Sequence, residues 1–427
     1  MQSVSRSPAS AHDDESHDHL TVTLPPTDTG VGAYKFLFGS FIIEALLWGF
    51  PLTFGVFQDY YSRQPEFEGS SNIAVIGAVS TSIYFLGAPI ASPLVKRFQR
   101  WQRHMVVVGW ALCVVSLLAA SFVSSVPGLI ATQGILYGTG FCVLYFPVLR
   151  MLDEWFVRRR GLAYGLLYAG GGFSGAGLPF LLEALLSRFG YRTTLRAVAV
   201  AQFLLVLPIL HLIKPRLPAS RHSAFRMIDI SFLSQPLFYC FALSNLFQGL
   251  GFYIPSLYLP TFASMLNLPS TIGALVLAAN NLASVIGQVG FGYMSDRIHN
   301  VLILVFISSF TSCLAVFTLW GFAHSLGTLL AFSFIYGLFA GGFVVFWPKF
   351  GSVLSEDPQP IYSMMAFSKG VGNIVIGPIS AALLTGPTTS GYGLSKFQPV
   401  IFFLGTCMFC SSLGIFGLPL KRRFAQS

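Results

Sequence analysis

The sequence predicts an all-α integral membrane fold, with twelve transmembrane helices arranged as two six-helix bundles. Three observations carry that expectation. Twelve apolar stretches of bilayer length run from Phe36 to Leu420; the second six repeat landmarks of the first; and the basic residues gather at alternate connections. Each stretch meets the requirement for crossing a hydrocarbon layer about 30 Å thick, which is about 20 residues at 1.5 Å rise. Tyr137-Gly138 and Tyr336-Gly337 lie 199 residues apart, Pro147 and Pro348 201, Pro179 and Pro378 199, and Pro51 and Pro255 204. Near-equal offsets across four landmarks indicate a parallel internal repeat.

The spans are expected to begin near Phe36, Ile73, Met105, Leu129, Gly161 and Leu195, then near Leu237, Thr271, Val301, Gly327, Ile361 and Pro399. Residues 1–34 are polar and lack an apolar signal core, so they read as a disordered tail, and span one acts as the insertion signal. The first bundle is assigned to 35–213, a linker to 214–236, the second bundle to 237–420 and a basic end to 421–427. Lys214-Pro-Arg-Leu-Pro218 breaks span six, and the run from Arg226 suits a short interfacial helix. Gly134-x-x-x-Gly138 and the Gly171/Gly175 pair allow close helix approach. All six cysteines fall in apolar spans, so Cys407-x-x-Cys410 reads as packing.

Charge placement excludes several classes of function. Hydrophobic residues make up 54% of the chain and charged ones 10%, against about 25% in a soluble domain. Of 25 Lys and Arg, 19 fall in the tail, the linker, the end and the connections on their side; five fall on the other side, and Lys369 lies within a span. That excess predicts both termini in the cytoplasm and accounts for the net charge of +9 without nucleic acid; a plasma membrane is the expected location. The histidines lie in tails, loops or span ends, and neither HExxH, GxSxG nor GxxxxGK[ST] occurs. An enzyme, a bound cofactor, a metal centre and direct use of ATP are therefore not expected. The tail histidines His12, His17 and His19 are read as solvated.

The segment between spans four and five reads Trp155-Phe156-Val157-Arg158-Arg159-Arg160-Gly161-Leu162-Ala163-Tyr164-Gly165, continuing to Ala169-Gly170-Gly171. It resembles the signature of the monocarboxylate-transporter family of the major facilitator superfamily, in its fungal branch. Phe54-Gly-Val-Phe-Gln58, Gly190-Tyr-Arg192 and Gly290-Phe-Gly-Tyr-Met-Ser-Asp296-Arg297 extend the resemblance over most of the chain. It implies a small organic solute moved by alternating access, frequently with a proton. The chain departs from the animal lactate carriers where they place a lysine after Phe-Pro and an Asp and Arg in span eight: here stand Leu52, Ser284 and Gln288.

A charge at the bilayer centre costs about 2.5–3.5 kcal/mol, so buried charges mark function. Glu44 and Lys369 lie at matched depth in opposite halves, and a state-dependent pair between them is one expectation. Arg150, Asp153, Asp296 and Arg297 are candidates for gating at the cytoplasmic face. Gln133, Tyr137, Asn245, Gln248, Asn281, Gln288, Tyr336 and Trp347 are expected to line a cavity rich in amides and aromatics. The reading that follows is a secondary-active transporter working as a monomer within the lipid bilayer. Its expected action is efflux of a fairly apolar organic or secondary metabolite, with protons as a candidate coupling ion. The alternative is proton-coupled uptake of a monocarboxylate or related nutrient.

Overall fold

The computed structural model describes residues 24–67, 72–218, 230–298, 300–384 and 391–418. All regular secondary structure among them is helical. Among the described residues, ten helices are long and apolar enough to cross a membrane. One of these, Arg160–Ile209, has 50 residues and turns at Gly190, where φ is 73°. That left-handed conformation suits glycine and divides the helix into two arms, spans five and six. The helix Gln359–Leu383, 25 residues long, stands at span eleven. The arrangement is consistent with twelve crossings, and the numbering of spans is kept below.

The remaining spans are Val31–Ser62, Ile73–Arg97, Gln99–Ala120 and Val126–Trp155 in the first half. Pro236–Met265, Thr271–Arg297, Val301–Trp320, Leu326–Leu354 and Gln398–Gly417 follow in the second. Spans one and seven are both interrupted, at Thr53 and at Tyr253, two positions 200 residues apart in the repeat. Pro51 lacks the N–H that would bond Leu47, and the Tyr137 hydroxyl donates to that freed carbonyl at 2.8 Å. Tyr336, the repeat partner of Tyr137, donates to the Phe252 carbonyl at 3.3 Å, beside the break in span seven. Both halves thus steady a broken helix with a phenol from the fourth helix of the same half.

Part of the expected tail is ordered. Asp28 is buried, and its carboxylate accepts from the backbone N–H groups of Val157 at 3.0 Å, Arg158 at 3.0 Å and Arg159 at 2.8 Å. Residues 24–30 therefore fold onto the hairpin between spans four and five, and helix begins at Val31. The Glu154 carboxylate holds the start of the linker through the N–H groups of Arg216 and Leu217. The histidines of the tail, residues 226–229 of the expected interfacial helix and the basic end 421–427 lie outside the described residues; the rest of that run holds a short 3-10 turn, Ser231–Ser234.

The halves meet chiefly where span five crosses span eight and span two packs on span eleven. Glycines set the first crossing: a Cβ at Gly161 would lie 2.6 Å from the Gly292 carbonyl oxygen, and one at Gly292 2.5 Å from that of Gly161. The crossing ends at the face that carries the linker, called the basic face below.

Candidate functional site

At the basic face, polar side chains join the two halves. Lys96, at the end of span two, and Arg150 of span four both reach Asp357 of the second half, at 2.7 and 2.8 Å. Burial alone would raise the Asp357 carboxyl, but Arg150 and Lys96 outweigh it and hold it below its ordinary value. Asp153 pairs with Arg160 at 3.0 Å and accepts from Gln359 across the interface. Arg160 also donates to Ser352 at 2.9 Å. Asp296, at the end of span eight, accepts at 2.8 Å from both Gly161 N–H and Leu162 N–H at the start of span five. A carboxylate there meets unpaired donors and the positive end of the helix dipole. Arg297 lies over the Tyr293 ring at 4.5 Å and takes no part in the link.

Deeper in, two buried charges stand apart. Glu44 is 2% exposed, and its Oε2 has no hydrogen-bond partner among the described residues. The phenols of Tyr84, Tyr145 and Tyr362 lie within electrostatic reach of it. Trp48 packs against Tyr84 and Phe141 at ring distances of 5.1 and 5.2 Å beside it. Lys369 sits in the other half, 3.9 Å above the Phe252 ring and 5.6 Å from Trp347, with Gln248 Oε1 accepting at 3.4 Å. The expected Glu44–Lys369 ion pair is not formed in this conformation, because each charge keeps to its own half. An aromatic bridge separates them: Trp347 packs on Tyr362 at 5.5 Å, and the Tyr362 and Tyr168 hydroxyls meet across the halves at 2.7 Å.

The family model described as Major Facilitator Superfamily matches residues 36–377. The chain belongs to that superfamily. It is a multi-pass membrane transporter of small solutes. Among its relatives, the MFS-type transporter pynF of Aspergillus niger is 29% identical over 383 residues, covering 88% of this chain and 86% of its own. The agnestins efflux protein AgnL12 of Paecilomyces divaricatus is 27% identical, over 90% of this chain and 87% of its own. The fujikurins efflux protein of Gibberella fujikuroi is 26% identical, over 91% and 83%.

In this major-facilitator chain the cavity expectations divide. Asn245, Gln248 and Trp347 cluster with Lys369: Trp347 Nε1 donates to Asn245 Oδ1 at 2.7 Å, and Asn245 donates to the Met365 carbonyl at 2.7 Å. Asn281 crosses to the other half, donating to the Gly175 carbonyl at 3.0 Å. Gln288 lies on the same crossing, with Oε1 unpartnered. Gln133, Tyr137 and Tyr336 are buried and bonded within their own halves: Gln133 donates to Tyr61 at 2.7 Å, and the two tyrosines hold broken helices.

The signature between spans four and five also takes physical shape. Trp155 donates to the Lys214 carbonyl at 2.9 Å and stacks on Phe36. Phe156 is buried, and the backbones of Arg158 and Arg159 receive Asp28. Ala163 and Ala169 are buried, while Gly165 and Gly170 admit the backbones of spans eight and one through the Gln288 and Phe41 carbonyls. Asp357 escaped sequence reasoning. Its signal was Lys96-Arg97, bases at the place where the other half carries Asp296, which demanded an acid nearby.

Proposed function

We propose that this transporter exports a fairly apolar organic product, of the secondary-metabolite class, by alternating access across the plasma membrane. The basic face is then cytoplasmic, with both termini there, and the monomer is the working unit. Within the superfamily we place the chain in the monocarboxylate-transporter-like branch, on the strength of the signature from Trp155 to Gly170. The observation that carries the export reading is the make-up of the buried centre between the halves, which lines the solute's path once they separate. Aromatic rings and phenols predominate there, and the two buried charges are not paired with each other. Such a lining recognises a body with large apolar and conjugated surface. The efflux proteins for agnestins and fujikurins among the relatives support the same direction of transport.

Leu52, Ser284 and Gln288 leave the lactate-carrier positions without their charges, which argues against lactate as substrate. The test compares solutes inside and outside cells with and without the gene. Loss of the gene is expected to raise an aromatic or lipophilic product inside the cell and lower it outside. Proteoliposomes that accumulate labelled lactate under an inward proton gradient, with saturation and loss in Gln288→Ala, would defeat the reading.

A further inference from the structure

We propose that Lys369 is the anion-recognition residue of this transporter, and that its solute carries an acidic oxygen on an aromatic or conjugated body. The inference deepens the export reading and rests on it for the site being a transport site. An ammonium has three N–H donors. Lys369 is 3% exposed, yet the only oxygen that accepts from it among the described residues is Gln248 Oε1, at the long distance of 3.4 Å. The described carboxylates give it no ion pair. Its charge is balanced by ring faces instead: Phe252 at 3.9 Å, Trp347 at 5.6 Å and Tyr253 at 5.7 Å. Ring quadrupoles hold a cation without neutralising it. They leave its donors available to an anion that can slide between rings and ammonium.

The surroundings are built to stay fixed. Gln248 Nε2 donates to the Ala340 carbonyl at 3.2 Å, so its oxygen is aimed at Lys369. Trp347 is tied to Asn245, which is tied to the Met365 carbonyl. Spans seven and eleven touch backbone to backbone, since a Cβ at Gly249 would lie 3.1 Å from the Lys369 Cα. One turn along the same helix face, Asn373 Oδ1 is buried without a partner among the described residues. A cation and an unpartnered acceptor on one face fit an acidic oxygen neighboured by a hydrogen-bond donor. Trp347 packs on Tyr362, whose hydroxyl meets Tyr168 of the other half, so the site adjoins the surface along which the halves separate.

The experiment uses purified full-length protein and two probes of nearly the same size and shape, the anionic 4-bromobenzoate and the neutral 4-bromobenzamide, whose amide N–H groups could only help it at Asn373 and so make the comparison a strict one. Both quench tryptophan fluorescence on contact through the bromine. The acid is expected to quench saturably at concentrations about tenfold lower than the amide, the ratio one charge-assisted hydrogen bond supplies. Trp347→Phe should remove most of the saturable quenching, Lys369→Met should make the two probes equal, and Lys369→Arg should keep a preference for the acid. Equal quenching by acid and amide in the unaltered protein overturns the proposal, as does quenching unchanged in Trp347→Phe or a preference retained in Lys369→Met. The first two criteria hold even where Lys369→Met fails to fold. Binding has no direction, so a preference for the acid in a protein whose loss leaves export untouched would sink the export reading alone.

Discussion

Lys96 and Asp296 stand 200 residues apart, at equivalent places in the repeat, and each ends a helix that abuts the other half. The end of span eight meets the start of span five, and the end of span two meets the approach to span eleven. The joints coincide in geometry and differ in sign. Asp296 binds the helix terminus directly, through the N–H groups of Gly161 and Leu162, which costs no further residue. Lys96 is repelled by the positive end of a helix, so Asp357 intervenes two residues before span eleven and gathers both Lys96 and Arg150. One joint is made of a carboxylate on backbone, the other of a carboxylate between two cations. The second is held by side chains that can be substituted one at a time, whereas the first depends on how closely two backbones approach.

The largest effect is therefore expected where backbone meets backbone. Gly292→Val places atoms against the Gly161 carbonyl oxygen, leaves either half free to fold, and prevents the basic face from closing. Transport should fall by more than about tenfold while the purified protein stays monodisperse, since a clash of this kind costs over 1.4 kcal/mol. Normal transport would separate the crossing from the cycle. Next comes the difference between joints. Asp357→Asn leaves Lys96 and Arg150 facing each other and should cost the closed conformation about 2 kcal/mol; Asp296→Asn keeps one carbonyl acceptor and should cost less.

Asp357 also fixes the sign of a pH effect. Its carboxyl is held below the ordinary value by Arg150 and Lys96, against the opposing effect of burial. Its contribution to closure is then complete above the ordinary carboxylate range and is lost as pH falls through the lowered value. Between about pH 5 and 8 closure should not change through this group. A change within that window that disappears in Asp357→Asn would contradict the assignment. The smallest effect belongs to the phenols on the broken helices. Tyr137→Phe should lower thermal stability by about 1 kcal/mol, and Tyr336→Phe by less, because its hydrogen bond is longer.

How far the sequence could be read follows from the range of the forces involved. Hydropathy and the repeat depend on composition along the chain, so the starts of the spans were legible to within about two turns, the widest differences being Val31 for Phe36 and Gln99 for Met105. The break at Thr53 was foreshadowed by Pro51, and that at Tyr253 by Pro255. Asp296 was legible as a candidate at this face, whereas its seat on the N–H groups of Gly161 and Leu162 needed the fold to be in view. The cavity was harder. Tyr137 and Gln133 sit in the same helix as Tyr145 and carry the same kinds of atom, and nothing local says which turn faces the other half. Asp28 was hidden for a different reason: a short polar stretch reads as solvated unless the backbone groups it caps, 129 to 131 residues away, are already in view.

We propose that the basic face is the closed gate in this conformation, held by the joints of Asp357 and Asp296. Spin labels at Arg103→Cys in the first half and Glu356→Cys in the second, in proteoliposomes, measure that gap directly. A short-distance population is expected in the otherwise unaltered protein, partly lost in Asp357→Asn and largely lost in Gly292→Val. One distance distribution shared by all three proteins would contradict it.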